Sequence, residues 1–274
     1  MFQENRRAEA VMNHRDNIWA NLDTLWDVVI VGGGITGAGV LREASRAGLK
    51  ALLVEAKDFS SGTSSRSSKL VHGGLRYLQN AQVKLTFESV RERERLLNEG
   101  RGLITPLGFL LPTYRGDRVP AWLFGVGLIM YDVLGTQWTH RRYGPDAFLH
   151  FCRDLRTGDL NGGFRFFDAQ TDDARLLQRV IQEAEEDGGA ALNYARAASL
   201  LKGKNGRVCG VAVEDTSGHN EGRTAEIKAR VVINATGVWA DRLRSDVGGR
   251  PRMRPLRGSH LMFPAERIPI TRAV

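Results

Sequence analysis

Residues 26–55 read WDVVIVGGGITGAGVLREASRAGLKALLVE, and this stretch decides the fold. The β-branched run at residues 28–31 predicts a strand that is buried on both faces. Glycines with the spacing G-x-G-x-x-G follow, and the segment behind them predicts a helix over residues 35–47. A second apolar run at residues 49–54 predicts another strand, which ends at Glu55. The stretch therefore predicts a βαβ unit.

This βαβ unit has the features of a dinucleotide-binding turn. Gly32 allows a tight turn, Gly34 lets backbone approach a pyrophosphate, and Gly37 lets the helix pack closely on the strand. The N–H groups at the start of the helix favour phosphate. A carboxylate at Glu55 can accept hydrogen bonds from the ribose hydroxyls of an adenosine. We therefore predict adenine-dinucleotide binding; the alternative is a glycine-rich turn in a βαβ unit without a ligand.

The composition is ordinary for a globular protein, with 274 residues, 42% of them hydrophobic and 26% charged. The net charge of +8 comes mainly from scattered arginines. It suits an anionic ligand or an anionic membrane surface, and a bias towards arginine codons explains it equally well. No dense basic block is interleaved with aromatic residues, so nucleic-acid binding is not predicted. Cys152 and Cys209 are isolated, which predicts a reducing compartment and no metal site.

No secretion signal or membrane span is predicted. Residues 1–24 carry charges of both signs and no apolar core. The longest uncharged run, VPAWLFGVGLIMY at residues 119–131, is shorter than the about 20 residues that a span needs. It predicts either a buried helix or a helix that lies against a membrane, with Trp122 and Phe124 at the interface. The expected location is the cytoplasm, or the inner face of the cytoplasmic membrane in the second case.

The middle of the chain carries a polar loop and a charged helix. Residues 57–79 read KDFSSGTSSRSSKLVHGGLRYLQ, and their hydroxyl and glycine residues can cradle a phosphate or a flat polar ring. A mobile surface loop is the alternative, which fits poorly with the apolar and aromatic residues at 70–78. Residues 81–99 predict an amphipathic helix whose RERER charges form a solvated face. Its predicted inner face consists of Val83, Phe87, Val90 and Leu97.

A second small-residue turn is predicted towards the end of the chain. Residues 172–187 predict a helix, and from Ala190 the pattern changes to period two, which indicates a β-meander. The meander leads into residues 230–234, RVVIN, a predicted buried strand. The sequence Ala-Thr-Gly at residues 235–237 then permits another close backbone approach to the same ligand.

Several segments resemble the FAD-dependent glycerol-3-phosphate dehydrogenases, in the D-amino-acid-oxidase-like oxidoreductase superfamily. They are GGGITGAG, LVEAKDFSSGTSSRSSKLVHGGLRYL, TDDARL, INATGVWAD and LRGSH, and they span residues 26–260. The string TSSRSSKLVHGGLRYL is the most specific, because related amine oxidases share only the dinucleotide motif. The resemblance implies an α/β fold: a Rossmann-like FAD-binding domain, with a parallel sheet and a β-meander crossover, and part of an α+β substrate domain.

The resemblance also implies a division of the chain. The expected parts are an N-terminal extension without assigned function at 1–25, the FAD-binding domain at 26–105 and 165–250, and an incomplete substrate domain at 106–164 and 251–274. The family's later GxRP and GGK-T-T segments and its C-terminal helical domain have no counterpart before Val274. We therefore expect the chain to be the N-terminal part of a longer enzyme, and whether it turns over alone is open.

The resemblance implies noncovalent FAD and a set of site residues. The cofactor-binding residues would be Gly32, Gly34, Gly37 and Glu55 at the ADP half, Thr63, Ser64, Ser68, Lys69 and Leu70 along the pyrophosphate, ribityl chain and flavin edge, and Ala197, Ala235 and Gly237 closing on the cofactor. The residues that face the substrate would be Arg76, Tyr77 and His260.

The implied reaction is oxidation of sn-glycerol 3-phosphate to dihydroxyacetone phosphate, with hydride transfer to flavin N5 and electrons passed on to quinone. Histidine has a reference pKa of about 6.5, so a neutral His260 can accept the hydroxyl proton. A structural role for His260 is the alternative, and His72 is a rival base. Two other functions stay open: a glycerol-3-phosphate oxidase that uses oxygen, and a non-catalytic FAD-binding or interaction module.

Overall fold

The computed structural model describes residues 14–75, 77, 80, 82–135, 139–218, 222–268, 270 and 272–274. It consists of two compact units. The first unit comprises Met1–Ser67 and Asp173–Arg257, and the second comprises Ser68–Asp172 and Gly258–Val274.

The strands in chain order are β1 (Trp26–Val31), β2 (Ala51–Val54), β3 (Leu70–Val71), β4 (Ile104–Tyr114), β5 (Arg141–Tyr143), β6 (Leu160–Thr171), β7 (Ala190–Leu192), β8 (Ala195–Lys202), β9 (Val208–Asp215) and β10 (Thr224–Asn234). The helices with complete bounds are α1 (Ile35–Arg46), α2 (Val83–Glu99), α3 (Ala121–Gly135), α4 (Pro145–Leu149), α5 (Asp173–Glu186) and α6 (Ala240–Ser245).

The first unit is built on a six-stranded sheet in the order β7-β2-β1-β10-β9-β8. Strands β7, β2, β1 and β10 are parallel, whereas β10, β9 and β8 are antiparallel. β1 and β2 are almost entirely buried, as expected for parallel strands covered on both faces. This arrangement confirms the predicted α/β class, with a parallel sheet and a meander of β8, β9 and β10; β7 belongs to the parallel part.

Both faces of this sheet are covered. Helices α1 and α5 pack on one face, where Leu41 and Leu177 meet Ile30. On the other face Trp19 and Leu22 join the core. Residues 14–20 are helical. The N-terminal segment, expected to be an extension without assigned function, therefore contributes to the core of the first unit.

The prediction that residues 230–234 are buried is wrong for part of the strand. Half of Val231 is exposed. The reason is that α1 and α5 pack over β1, β2 and β7. From β10 and the residue after it, only Ile233 and Ala235 join the hydrophobic cluster beneath these helices. A hydrophobic run alone does not show how far the covering helices extend.

The second unit is an antiparallel sheet in the order β3-β6-β4, with β5 also paired to β6. Alternate residues of its strands face two separate clusters. Phe164 and Phe166 meet residues of α2 and α3 in one cluster. Leu110 meets Phe148 of α4 and Cys152 in the other.

The pairing of β4 with β6 sets the limits of the second unit. The register runs from Ile104 opposite Thr171 to Tyr114 opposite Leu160. The domain boundaries expected at 105 and 165 therefore fall inside two paired strands, whereas the compact unit keeps both strands whole. Local sequence patterns carry no information on which distant strand will be the partner, which explains the difference.

We predict that Gly37→Ala strongly destabilises the first unit. A Cβ at Gly37 would overlap the carbonyl oxygen of Gly32, so α1 would have to move away from β1. The expected loss is about 2 kcal/mol or more in the free energy of unfolding, measured by urea denaturation.

Gly39→Ala is the matched control, because it lies in the same helix and a Cβ there meets no atom within 4 Å. It should be neutral or stabilising by up to about 1 kcal/mol. Equal effects of the two substitutions would contradict the close approach of α1 to the glycine turn.

Candidate functional site

The two predicted turns of the first unit meet at the ends of β1 and β10. The N–H of Ala235 donates to the carbonyl of Val31 at 2.8 Å. Gly32 has φ +116°, and a Cβ on it would lie 2.5 Å from the carbonyl oxygen of Ala235. The two turns are thus in close backbone contact at the carboxyl ends of adjacent parallel strands. Open α/β sheets bind ligands in a cleft at this edge, and the edge is called the cleft below.

The start of α1 also lies in this cleft. Gly34 has no side chain to cap the helix, and the N–H of Ile35 donates to the Ser64 hydroxyl at 2.9 Å. Ser64 belongs to a short 3₁₀ helix, Thr63–Ser65. The serine-rich loop, residues 60–68, therefore places the Ser64 hydroxyl beside a helix N-terminus, an arrangement that suits a phosphate.

Glu55 is held beside the glycine turn. One carboxylate oxygen accepts the Gly33 N–H at 2.7 Å, and the other accepts the Lys57 N–H at 2.9 Å. A Cβ on Gly33 would lie 2.8 Å from the Cβ of Glu55. Sequence reasoning did not assign a role to Gly33; its position in the middle of three consecutive glycines was the signal for this close contact.

Two further residues of the cleft were not predicted. Ser60 is buried with φ +67°, and its N–H donates to the carbonyl of Gly33 at 2.9 Å. Its hydroxyl has no hydrogen-bond partner within the described part of the chain. Trp239, which follows the second turn, packs against Gly62, where a Cβ would lie 3.2 Å from its ring. The loop that contains Ser60 and Gly62 thus contacts both turns.

The other predicted residues of the first unit have simpler surroundings. Gly237 has φ +57° and begins a short 3₁₀ helix, Gly237–Trp239. Ala197 lies on β8 opposite Val213 and packs against the core. Their contact with a cofactor stays a prediction.

The remaining predicted residues belong to the second unit. Ser68 begins it, Lys69 has φ +58° and accepts the Thr171 N–H at 2.9 Å, and Leu70 pairs with Gln170. That pairing ties the end of the serine-rich loop to β6.

The residues expected to face the substrate are only partly described. The N–H of Tyr77 donates to the carbonyl of Gly74 at 2.7 Å, and the Tyr77 ring lies 6.3 Å from the His72 ring. His260 is exposed in a segment without helix or strand. Arg76 lies outside the described residues.

A buried charged network in the second unit holds the segment before Tyr77. Arg93 donates to Asp168 at 2.5 Å and to the Tyr131 hydroxyl at 3.0 Å. Tyr131 donates to Asp168 at 2.6 Å and accepts the Gly73 N–H at 2.8 Å. Burial, together with the nearby Asp168 carboxylate, raises the pKa of Tyr131, so its hydroxyl keeps its proton.

The structure differs from the prediction of which α2 residues are buried and which are solvated. Thr86, Val90 and Arg93 are the buried residues of that helix, so one arginine of the RERER run is not solvated. Val83 and Phe87, expected on the inner face, are exposed instead. The spacing of Arg93 three residues after Val90 was a weak signal for its position, and its partners lie too far along the chain to be recognised.

The geometry of the first unit defines a Rossmann-like dinucleotide-binding protein. The family model described as DAO, FAD dependent oxidoreductase, matches residues 27–273, and the chain belongs to this family. FAD is therefore its cofactor, and the cleft fits the ADP half: glycine backbone, the N-terminus of α1 and the Ser64 hydroxyl lie beside one another there.

The chain is also similar to individual proteins. It is 41% identical over 266 residues to the aerobic glycerol-3-phosphate dehydrogenase of Staphylococcus epidermidis, covering 95% of this chain and 47% of that protein. It is 38% identical over 266 residues to the protein of the same name from Staphylococcus aureus, again covering 95% and 47%. The chain thus spans about half the length of the curated relatives it matches.

Solved structures share the fold. The glycerol-3-phosphate dehydrogenase from Bacillus halodurans complexed with FAD matches with a TM-score of 0.64 and 31% identity, covering 82% of this chain and 37% of that chain. L-proline dehydrogenase from P. horikoshii matches with a TM-score of 0.61 at 20% identity, covering 83% and 57%, which shows the fold alone.

We predict that Asp168→Asn destabilises the second unit by about 2–3 kcal/mol, because the Arg93 guanidinium loses its buried carboxylate and keeps only the less buried carboxylate of Glu94. Chemical denaturation measures the loss. The control is Glu99→Gln, which removes the partner of the exposed Arg95 at 3.0 Å and should cost less than about 1 kcal/mol. A loss at Asp168 no larger than the loss at Glu99 would show that the network does not stabilise the unit.

Proposed function

We propose that this protein oxidises sn-glycerol 3-phosphate to dihydroxyacetone phosphate, with FAD as the first electron acceptor. The observation that carries the proposal is 41% identity over 266 residues to a relative named aerobic glycerol-3-phosphate dehydrogenase. The glycine turn, the serine-rich loop and the turn at Ala235 agree with a flavin nucleotide as the ligand.

In this proposal the first unit holds the ADP half of the nucleotide. Gly32, Gly34, Gly37 and Glu55 bind the ADP half; Thr63, Ser64, Ser68, Lys69 and Leu70 line the pyrophosphate, ribityl chain and flavin edge; Ala197, Ala235 and Gly237 close on the cofactor. Glu55 is well placed for the ribose, since its carboxylate is already oriented by the N–H groups of Gly33 and Lys57.

The oxidation removes a hydride from C2 of the substrate and a proton from its hydroxyl group. Bound FAD supplies a two-electron acceptor for the hydride. A neutral His260 accepts the proton, and His72 is the rival base. Arg76 binds phosphate or substrate oxygens through its fork of donors, and Tyr77 donates a hydrogen bond to the substrate or packs beside it.

The test is anaerobic reduction of the bound flavin, observed as bleaching of its visible absorption. We expect sn-glycerol 3-phosphate to bleach the FAD-loaded protein, whereas glycerol with inorganic phosphate leaves it yellow. The assay is run on this chain and on this chain joined to the part of the Staphylococcus epidermidis relative that it does not match. Yellow protein that neither form bleaches would refute the substrate assignment.

A matched pair of variants tests the role of Tyr77. Tyr77→Phe should slow bleaching by about tenfold or more, the effect of losing one hydrogen bond to substrate. Tyr114→Phe is the control, because Tyr114 lies on β4 and stacks with Arg156 at 4.7 Å. Equal rates for the two variants would show that the Tyr77 hydroxyl makes no hydrogen bond to the substrate.

We further propose that electrons pass on to a membrane quinone, and that α3 contacts the membrane. Within the described residues no helix is both long and apolar enough to cross a bilayer. The expectation of a buried helix is nevertheless wrong for one face of α3. Trp122 is 67% exposed and Val133 is 63% exposed. The same face carries the exposed residues Leu123, Val126, Ile129 and Met130.

The position of these residues fits a helix lying in the membrane interface. Their spacing gives one apolar stripe, while Leu128 and Tyr131 face the core of the second unit. Exposed arginines stand on both sides of the helix in sequence: Arg115, Arg118, Arg141 and Arg142. Apolar side chains and flanking arginines together suit anionic lipid.

Vesicle flotation tests this contact. We expect the protein to float with anionic phospholipid vesicles, and the double variant Val126→Gln/Val133→Gln to bind about tenfold more weakly, since it loses apolar area. Val247→Gln is the control, because Val247 is similarly exposed but lies in the first unit. Unchanged flotation of the double variant would refute membrane contact by α3.

The electron acceptor is tested by assaying peroxide release and quinone reduction on the same preparation of the protein. Peroxide release without quinone reduction would identify oxygen as the acceptor.

A further inference from the structure

The N-terminal helix lies outside the family match yet bonds to the cofactor-binding unit. The match begins at residue 27, whereas residues 14–20 are helical and Trp19 and Leu22 are buried in the core. One polar side chain of this helix, Arg15, points to the backbone that follows β7. Arg15 therefore does more than pack against the core, because it forms hydrogen bonds to that backbone.

Arg15 binds three acceptors: two carbonyls of the turn between β7 and β8, and the carboxylate at the end of β9. It donates to the carbonyl of Asn193 at 2.5 Å, to the carbonyl of Tyr194 at 3.3 Å and to Asp215 at 2.7 Å. Tyr194 has φ +49°, an unusual conformation for a residue with a side chain. The guanidinium thus holds a strained turn through both of its carbonyl groups.

That turn is bonded to the segment that carries Glu55. The N–H of Tyr194 donates to the carbonyl of Lys57 at 2.9 Å, and the N–H of Ala195 donates to the carbonyl of Glu55 at 2.7 Å. The Asn193 side chain donates to Asp58 at 3.0 Å. A displacement of the turn would therefore move the backbone of residues 55–58.

The orientation of the Glu55 carboxylate depends on this same backbone. One of its oxygens accepts the N–H of Lys57, and the other accepts the N–H of Gly33. We propose that Arg15 is a positioning residue for the adenosine end of the cofactor site: it fixes the turn at 193–194, which fixes residues 55–58 and the carboxylate of Glu55. The inference rests on the proposed binding of the ADP half at Glu55.

The partner of Arg15 is suited to this task. The side chain of Asp215 has no exposure, so its charge must be compensated within the protein. Burial pushes the pKa of Asp215 up, but hydrogen bonds from Ser217 and the charge of Arg15 outweigh this and hold the pKa below its ordinary value. A charged Asp215 keeps the guanidinium in place against the turn.

Arg223 provides a matched control. Both arginines stack on Trp19, with Arg15 at 5.7 Å and Arg223 at 4.7 Å from the ring centre. Arg223 also pairs with Asp16 of the same helix at 3.5 Å. Its side chain makes no hydrogen bond to the 193–194 turn among the contacts of the described residues. Losing Arg223 should loosen the helix and leave the turn unchanged.

The experiment compares ligand dissociation constants of the purified chain. Arg15→Gln should raise the dissociation constants of FAD and of ADP by about tenfold, because the orientation of one charge-assisted contact is lost. Arg223→Gln should change them less than about twofold. FMN, which lacks the adenosine, should bind all forms equally. Thermal unfolding of the cofactor-free forms records any loss of stability separately.

Arg15→Lys is a second variant, which keeps the test informative if Arg15→Gln does not fold. It keeps the charge beside Asp215 but lacks the fork that reaches both carbonyls, so its FAD affinity should lie between those of wild type and Arg15→Gln. Equal FAD affinities of the Arg15 and Arg223 variants would overturn the inference, as would an equal loss of FMN binding. Wild-type chain that binds neither FAD nor ADP would instead refute the assignment of the site itself.

Discussion

The structure of the first unit depends on the contact between the backbones of Gly32 and Ala235. β1 lies between β2 and β10, so the chain leaves three parallel strands at the same edge of the sheet. At that edge the carbonyl of Ala235 occupies the space where a side chain on Gly32 would be. The carbonyl of Gly32 in turn excludes a side chain at Gly37, which brings α1 onto β1. The cleft is therefore made of backbone, as close approach to a pyrophosphate requires.

In the second unit, buried charged and polar side chains hold the backbone at Gly73. Gly73 is held by a tyrosine hydroxyl and a carboxylate that are themselves buried beside Arg93. Removing such charges from water is costly, so a buried network of this kind is stable only when its members satisfy one another. The left-handed Gly74 and the ring of Tyr77 follow directly, which ties a predicted substrate residue to this rigid point.

Sequence reasoning succeeded where the cause is local. The β-branched strand, the glycine spacing and the acid at the end of the second strand are all close in sequence, and the structure brings Gly32, Gly34, Glu55, Ser64 and Ala235 together. It failed where the cause is distant. Arg93 meets a residue 75 positions away, and β4 pairs with a strand that begins more than forty residues after it ends. No local pattern predicts such partners, and a charge on a helix is usually solvated.

Arg15 and Arg93 reveal a common use of arginine in two separate units. Each is bonded to a carboxylate that is almost fully buried, and each network reaches the backbone of a turn with left-handed residues, Tyr194 in one unit and Gly74 in the other. For Tyr194, which carries a side chain, such a conformation persists only where the surroundings hold it. Because a guanidinium offers five donors in a fixed plane, one side chain can serve a carboxylate and other acceptors at once. The two turns adjoin the segments that carry Glu55 and Tyr77, so these two arginines set the backbone on which the proposed ligand contacts depend. Of the two, Arg93 belongs to the RERER run that was expected to be solvated.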